Sequence, residues 1–299
     1  SYSRFSGIKA SVATDVVQLG IILLGGALLV TLGLRLTGGL ETVRAGLGSV
    51  SGEYISLTSA SGVEVLLSFG LPTAVGLISG PFGDQCFWQR VFSIREDRIG
   101  RSFLGAAILF ALAPIAMGTI GFLAAGTGFQ AEDPGMVNFE FVMSLLPAWV
   151  LVPFLFMVIS GLLSTVDSNL CAAASLTTDW MTGEGPDNIR ASRRVMLALL
   201  AVSILIANIP GLTVTHLFLF YGTLRASTLL PTVMTLLGKR LSAGGVYAGV
   251  LTALCIGLPI FACGNLMDIP VLKTIGSLTT VLSSGAVALI ASRKEVGRL

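Results

Sequence analysis

Eight apolar stretches run through the chain, and they constrain its fold more than any other feature. A helix needs roughly 20 apolar residues to cross about 30 Å of hydrocarbon. The stretches that can serve as such helices are residues 12–36, 62–92, 102–125, 147–178, 195–209, 214–237, 244–262 and 271–291. The sequence therefore predicts an all-α, polytopic membrane protein with about eight transmembrane helices, called spans one to eight below.

The composition agrees with this fold class and excludes others. Only 11% of the 299 residues are charged, against roughly 25% in soluble domains. The formal net charge is only +2, so we expect the lipid bilayer and no nucleic acid as a partner. The chain has one histidine and no Cys-x-x-Cys pair, and no nucleophile, base and orienting group converge by motif. The sequence therefore does not indicate an enzyme.

The positions of the basic residues predict an orientation, because short cytoplasmic loops collect lysine and arginine. With eight crossings, one side of the membrane receives fourteen of the 18 basic residues and the other side three, Arg35, Arg44 and Lys273; Arg225 lies inside span six. We therefore expect a multi-pass protein of the cell membrane with both ends of this chain in the cytoplasm.

Span two is unusually rich in helix-weakening residues. Between Gly70 and Gly83 it contains four glycines and two prolines. Proline removes an amide donor and glycine lowers helix propensity, so the sequence predicts an unwound segment near residues 79–83. Broken helices of this kind form substrate and ion sites in secondary transporters. The alternative is a proline kink that only shapes packing.

Span four carries a stripe of small and hydroxyl residues on one helix face: Gly161, Ser164, Thr165 and Ser168. Such a stripe is often a helix-packing face. Asp167 in the same span favours a functional site, because a carboxylate inside the membrane is costly. Oxygen ligands without sulfur or imidazole suit a hard cation, with sodium the natural candidate.

Three further charges lie within the spans or at their ends. Asp15 lies near the inner end of span one and can face cytoplasmic water. Asp84 can cap the helix that continues through Arg90. Arg225 can neutralise Asp15, Asp84 or Asp167, or bind an anionic solute, and structural pairing is the better interpretation.

Three segments together resemble the sodium:solute symporter family: SGIKASVATDVVQ from Ser6, GDQCFWQRVFS from Gly83 and SGLLSTVDSNLCAAASLTTD from Ser160. Their order and spacing agree over essentially the whole chain. The resemblance implies a leucine-transporter-like fold of two inverted five-helix repeats. Residues 1–36 would be the last helix of repeat one, residues 62–237 repeat two and residues 244–291 peripheral helices. The resemblance thus implies the C-terminal portion of a member, as a single transmembrane transporter domain.

The resemblance also implies binding residues. Ser164 and Thr165 would supply hydroxyl ligands to a co-transported Na+ and Gly161 a backbone carbonyl. Asp15 matches a second sodium site found in some members, although Gly161 stands where those members can have another serine. The solute would contact Leu77, Ser79 and Gly80 in span two and Phe218 in span six.

The function that these features predict is sodium-coupled symport of a small organic solute by alternating access. Where sugar carriers have polar residues, this chain has Phe110 and Phe218, which disfavours a sugar. A small amino acid, a monocarboxylate and a urea-like solute remain open. The alternative function is a symporter-like membrane sensory domain of a signalling protein. The oligomeric state is not predicted.

Overall fold

The computed structural model describes residues 3–52, 56, 58–182 and 188–296, and this part of the chain is helical without strands. Its α-helices, numbered in chain order, are α1 (Ser3–Thr37), α2 (Leu40–Gly46), α3 (Ala60–Val65), α4 (Leu71–Gly83), α5 (Gln85–Ser93), α6 (Ile99–Gly126), α7 (Val137–Leu145), α8 (Leu151–Thr182), α9 (Asn188–Ala207), α10 (Val214–Leu236), α11 (Ala243–Thr252), α12 (Leu258–Leu266) and α13 (Pro270–Val296). The predicted all-α class is confirmed.

Seven helical segments of the described chain are long and apolar enough to cross a membrane. They are Ser11–Thr37, Ala60–Gly83, Glu96–Gly126, Ala148–Thr178, Val214–Leu236, Ala243–Leu266 and Pro270–Arg293, at the positions of seven of the eight predicted spans. The other predicted span, at residues 195–209, falls on α9, which has 20 residues and carries Arg190, Arg193 and Arg194 in its first two turns. These arginines leave α9 with a shorter apolar stretch than the seven membrane-length segments have.

The helices form two compact units, and the first comprises Ser1–Ile55 and Gln89–Pro210. In this unit α1 packs against α6 and α8, and its core is formed by Leu29 of α1, Ile120 and Leu123 of α6, and Phe141 of α7. Helix α7 was not predicted from the sequence, because its nine residues are too few to stand out as a span. Two of them are nearly fully buried, so tertiary packing stabilises this short helix.

The second unit comprises Ser56–Trp88 and Gly211–Leu299. Helices α4 and α10 cross at two glycines, where a Cβ atom added to Gly76 would lie 2.7 Å from the Cα atom of Gly222. A similar approach brings α11 against α13, where a Cβ on Gly249 would lie 2.3 Å from the carbonyl oxygen of Ser284. Small residues allow membrane helices to approach this closely.

The predicted unwinding at residues 79–83 is wrong, because α4 continues as a helix through Pro81 to Gly83. Within hydrocarbon, an unwound turn exposes several unsatisfied polar groups, whereas Pro81 removes only one donor. The irregular backbone lies on either side of α4 instead. A π-helical turn at Leu66–Gly70 precedes it, and Asp84, with φ −108° and ψ 119°, separates it from α5.

The π-helical turn has a local cause and a tertiary partner. The Pro72 ring would clash with the carbonyl group one turn before it in a regular helix, and the wider turn begins six residues earlier, at Leu66. The hydroxyl group of Thr274 donates a hydrogen bond of 2.7 Å to the carbonyl oxygen of Leu67. Helix α13 therefore satisfies a carbonyl group of the turn.

Candidate ion and solute sites

In the first unit, Asp15 is the centre of a polar cluster formed by α1, α5 and α8. Its Oδ1 atom accepts a hydrogen bond of 2.5 Å from Ser164 Oγ, and its Oδ2 atom lies 3.0 Å from Arg90 Nη2. The same Arg90 nitrogen donates to Ser168 Oγ at 2.8 Å. Two residues of the predicted sodium set, Asp15 and Ser164, are therefore in direct contact, and a guanidinium group is the cation beside them.

The other two predicted sodium ligands lie one turn apart on α8. Thr165 Oγ1 donates a hydrogen bond of 3.0 Å to the carbonyl oxygen of Gly161. The small glycine also leaves room, since a Cβ added to Gly161 would find its nearest neighbour, Ile22 Cδ1, at 3.8 Å. Hydroxyl, carbonyl and carboxylate oxygens are ligands that hard cations prefer. This stretch of α8 thus presents oxygen atoms and no nitrogen or sulfur ligand.

In the second unit, α4 and α10 line an apolar recess. Its lining residues are Pro72, Thr73, Gly76, Leu77, Phe218, Leu219, Tyr221, Gly222 and Arg225. Leu77 and Phe218 of the predicted solute set are among them. Ser79 and Gly80 are not, because both are buried in α4 and the Ser79 hydroxyl donates to the Val75 carbonyl oxygen at 2.6 Å.

Arg225 is the charged residue of this recess, and its partner is Asp84. The Arg225 Nη2 atom donates to Asp84 Oδ2 and, at 2.8 Å, to Tyr221 Oη. The Tyr221 hydroxyl donates to Asp84 Oδ2 at 3.2 Å, and the guanidinium carbon lies 3.9 Å from the centre of the Tyr221 ring. Among the three carboxylates considered for Arg225, the structure selects Asp84.

Asp84 also caps α5, as the sequence predicts, because its Oδ1 atom accepts a hydrogen bond of 3.0 Å from the Cys86 backbone N–H. The Cys86 backbone N–H and the Arg225 guanidinium group compensate the negative charge of this carboxylate. One residue therefore serves both as a helix cap and as the counter-ion of Arg225.

Sequence reasoning missed two members of these clusters. Arg90 was counted only as a cytoplasmic charge, although its position one helical turn into α5 directs it to Asp15 and Ser168. Tyr221 lies one turn before Arg225 on α10 and resembles an ordinary aromatic residue of an apolar span. The four-residue spacing of Tyr221 and Arg225 was the available signal, since residues at i and i+4 share a helix face.

Comparisons with known proteins identify the family of this chain. A model of the sodium:solute symporter family matches residues 1–253, so α12 and α13 lie beyond the match. The chain is similar to the urea-proton symporter DUR3 of Oryza sativa subsp. japonica, with 23% identity over 233 residues. The alignment covers 72% of this chain and 31% of that relative's length, so the chain spans about a third of the curated protein that it matches. No solved structure matches. Because the family match covers most of its residues, the chain belongs to the sodium:solute symporter family.

Proposed function

We propose that this protein is a sodium-coupled symporter that carries a small organic solute by alternating access. The observation that carries the proposal is the cluster of oxygen atoms on α1 and α8, where Ser164 Oγ lies 2.5 Å from Asp15 Oδ1. The family match and the symporter relative support a carrier of this general kind. The choice of sodium as the coupling ion goes beyond these similarities, since that relative is described as proton-coupled.

Sodium binding divides into two proposed positions, one on α8 and one between α1 and α8. The first uses the Thr165 hydroxyl, the Gly161 carbonyl and the Ser164 hydroxyl. The second uses Asp15 together with Ser164. In the structure Arg90 neutralises Asp15, so a sodium ion at the second position requires the guanidinium group to move away from the carboxylate. Arg90 therefore competes with the ion there.

The proposed solute site is the recess between α4 and α10, with Leu77 and Phe218 as apolar contacts. Ser79 and Gly80 lie in α4 behind the recess, where a Cβ atom added to Gly80 would contact Arg225 Nη1 at 3.5 Å. A small amino acid, a monocarboxylate and a urea-like molecule are the candidate solutes. The apolar wall favours all three over a sugar, which needs many directed hydrogen bonds.

The proposed topology follows the charge pattern. Both ends of the chain lie in the cytoplasm, residues 1–36 form the last helix of repeat one, residues 62–237 form repeat two and residues 244–291 are peripheral. With eight crossings, α9 spans the membrane, and its three arginines lie at the cytoplasmic surface, where long basic side chains reach water.

The test is uptake by the natural-length protein in proteoliposomes, with radiolabelled urea, acetate and proline as probes. We expect one probe to accumulate when sodium is higher outside, with no pH difference. Accumulation driven only by a proton gradient would reject sodium coupling and retain symport. Equilibration of a probe without dependence on either gradient would reject symport. A variant in which Ser164 and Thr165 are both replaced by alanine should lose the sodium dependence.

A further inference from the structure

We propose that the Asp84–Arg225 ion pair makes the recess selective for a neutral solute with a carbonyl or amide group and selects against carboxylate anions. This inference rests on the proposed function, because it names the solute class of the same recess. The charge balance of the recess narrows the three candidate solute classes, which are small amino acids, monocarboxylates and urea-like molecules.

The first step is that the positive charge of the recess is already neutralised. Arg225 is the one charged residue among the nine that line the recess, all of which belong to the described chain. Asp84 is not a lining residue and its side chain is only 9% exposed, against 21% for Arg225. A solute in the recess therefore meets a guanidinium group whose counter-ion lies behind it.

The second step is that the guanidinium group still has donors to offer. Arginine has five N–H groups, and those on Nη2 serve Asp84 and Tyr221. The Nε atom has no hydrogen-bond partner among the described residues. The Nε atom is also buried, so its N–H group is a donor that the described residues leave unsatisfied. A solute carbonyl oxygen that reaches the Nε–H group can accept from this donor.

The third step concerns solute N–H groups, which need an acceptor. Thr73 lines the recess, and its Oγ1 atom has no hydrogen-bond partner among the described residues. A hydroxyl group can donate or accept. Thr73 on α4 is therefore a second unsatisfied polar group of the recess, and it can accept from a solute N–H group.

The fourth step excludes charged solutes. A carboxylate would bring a second negative charge to one guanidinium group in surroundings of low dielectric constant, where an uncompensated charge is costly. An ammonium group would find no free carboxylate. Asp84 Oδ1 accepts from Cys86 and Oδ2 from Arg225 and Tyr221, and none of the lining residues is acidic. Both monocarboxylates and amino-acid zwitterions are thus disfavoured.

Three probes of nearly equal shape test the idea, because acetate, acetamide and acetamidinium differ chiefly in charge. Apparent dissociation constants are measured from the ligand-dependent thermal unfolding of the purified natural-length protein. We expect acetamide to bind the wild-type protein more tightly than either ion. Equal or tighter binding of acetate would overturn the proposal without any variant.

Variants that change the charge of the Asp84–Arg225 pair should shift the preference among the three probes in a defined direction. Asp84→Asn keeps a capping oxygen for α5 and leaves Arg225 without a counter-ion, so the preference should shift toward acetate by about tenfold or more. Arg225→Gln leaves the carboxylate alone, so the preference should shift toward acetamidinium. The double variant is again balanced and should prefer the neutral probe, with weaker binding. An unchanged preference in a folded single variant would contradict the proposal.

The control is Asp268→Asn, which removes a carboxylate that pairs with Lys273 and does not line the recess. Its probe preference should equal that of the wild-type protein. Failure of this inference is distinguishable from failure of the proposed function. If none of the probes stabilises the wild-type protein while sodium still drives solute uptake, the neutral-solute assignment fails and symport stands. If acetamide binds as expected but no gradient drives uptake, symport fails and the assignment stands.

Discussion

Two carboxylate–guanidinium pairs, Asp15–Arg90 and Asp84–Arg225, lie in mostly apolar surroundings but differ in what holds them. The side chains of Asp15 and Arg90 are 21% and 38% exposed, and their further partners are hydroxyl groups of α8. The Asp84 side chain is 9% exposed and also accepts from the backbone of α5. The first pair is held by side chains alone, whereas the second is also bonded to the helical backbone.

In the proposed function, this difference separates the ion-coupling site from the solute-recognition site. A site that must bind and release a cation needs ligands with alternative partners, and Ser164, Ser168 and Arg90 can exchange partners around Asp15. A site that must present a constant charge to a solute needs a fixed pair. Asp84 is fixed because moving it would also remove the cap of α5.

The largest expected effect comes from Asp84→Ala, which breaks the Asp84–Arg225 pair. Removal of one partner from a buried ion pair costs about 3 to 5 kcal/mol, and loss of the helix cap adds about 1 kcal/mol. We expect little folded protein, measured as the monodisperse yield from size-exclusion chromatography and as the unfolding temperature. Asp15→Ala is the matched comparison and should remain folded. Similar losses in both variants would remove the distinction between the two pairs.

The second prediction concerns Ser164 and Thr165, the hydroxyl groups nearest the exchangeable pair. Replacement of both by alanine should raise the sodium concentration for half-maximal uptake by about 10- to 100-fold, since even indirect partners of a metal ion contribute that much. Thr177→Ala on the same helix is the control, because Thr177 also donates to a carbonyl group one turn earlier. An unchanged sodium dependence in the double variant would refute the assignment of these hydroxyl groups as ligands.

The third prediction compares glycines within α4. Gly76→Ala places a methyl group against Gly222 of α10 and should cost about 1 to 3 kcal/mol through overpacking. Gly80→Ala meets its nearest neighbour, Arg225 Nη1, at 3.5 Å, and gains about 1 kcal/mol of helix propensity. Unfolding temperatures of the two variants should therefore move in opposite directions. A larger loss for Gly80→Ala would mean that α4 is interrupted near Gly80 in the folded protein.

The smallest effect is expected from Arg90→Gln, which tests the exchangeable pair from its cationic side. Because Arg90 is more than a third exposed, its loss should change stability by about 1 kcal/mol or less. Sodium should then bind more readily beside Asp15, so the sodium concentration for half-maximal uptake should fall. An increase would mean that Arg90 organises the ion site and does not compete with the ion.

Much of the fold could be predicted from local sequence, because membrane helices are recognised by length and hydropathy. The bounds of α6, α8, α10 and α13 agree with the predicted spans to within about five residues, whereas α1 begins at Ser3, well before residue 12. The break in span two could not be placed correctly. Glycine and proline propensities indicated residues 79–83, but Gly76 provides close contact with α10, and the helix ends only at Asp84.

The candidate sites, like the helices, could be predicted from the sequence only in part. The sequence identified Asp15, Asp84, Ser164 and Arg225 as unusual, because charged and hydroxyl groups stand out within apolar spans. Their partners could not be inferred from spacing, since Ser164 is 149 residues from Asp15 and Arg225 is 141 residues from Asp84. Arg90 was interpreted as a loop charge for the same reason.

The sequence by itself determined the class of the protein, the positions of its apolar helices and its family, because these depend on composition and on short ordered motifs. Only the tertiary structure decided which charge neutralises which, where α4 ends and which face of α10 lines the recess. The physical reason is that a buried charge is stable only beside its counter-ion, and which helix faces meet is decided by packing, such as the contact of Gly76 with Gly222.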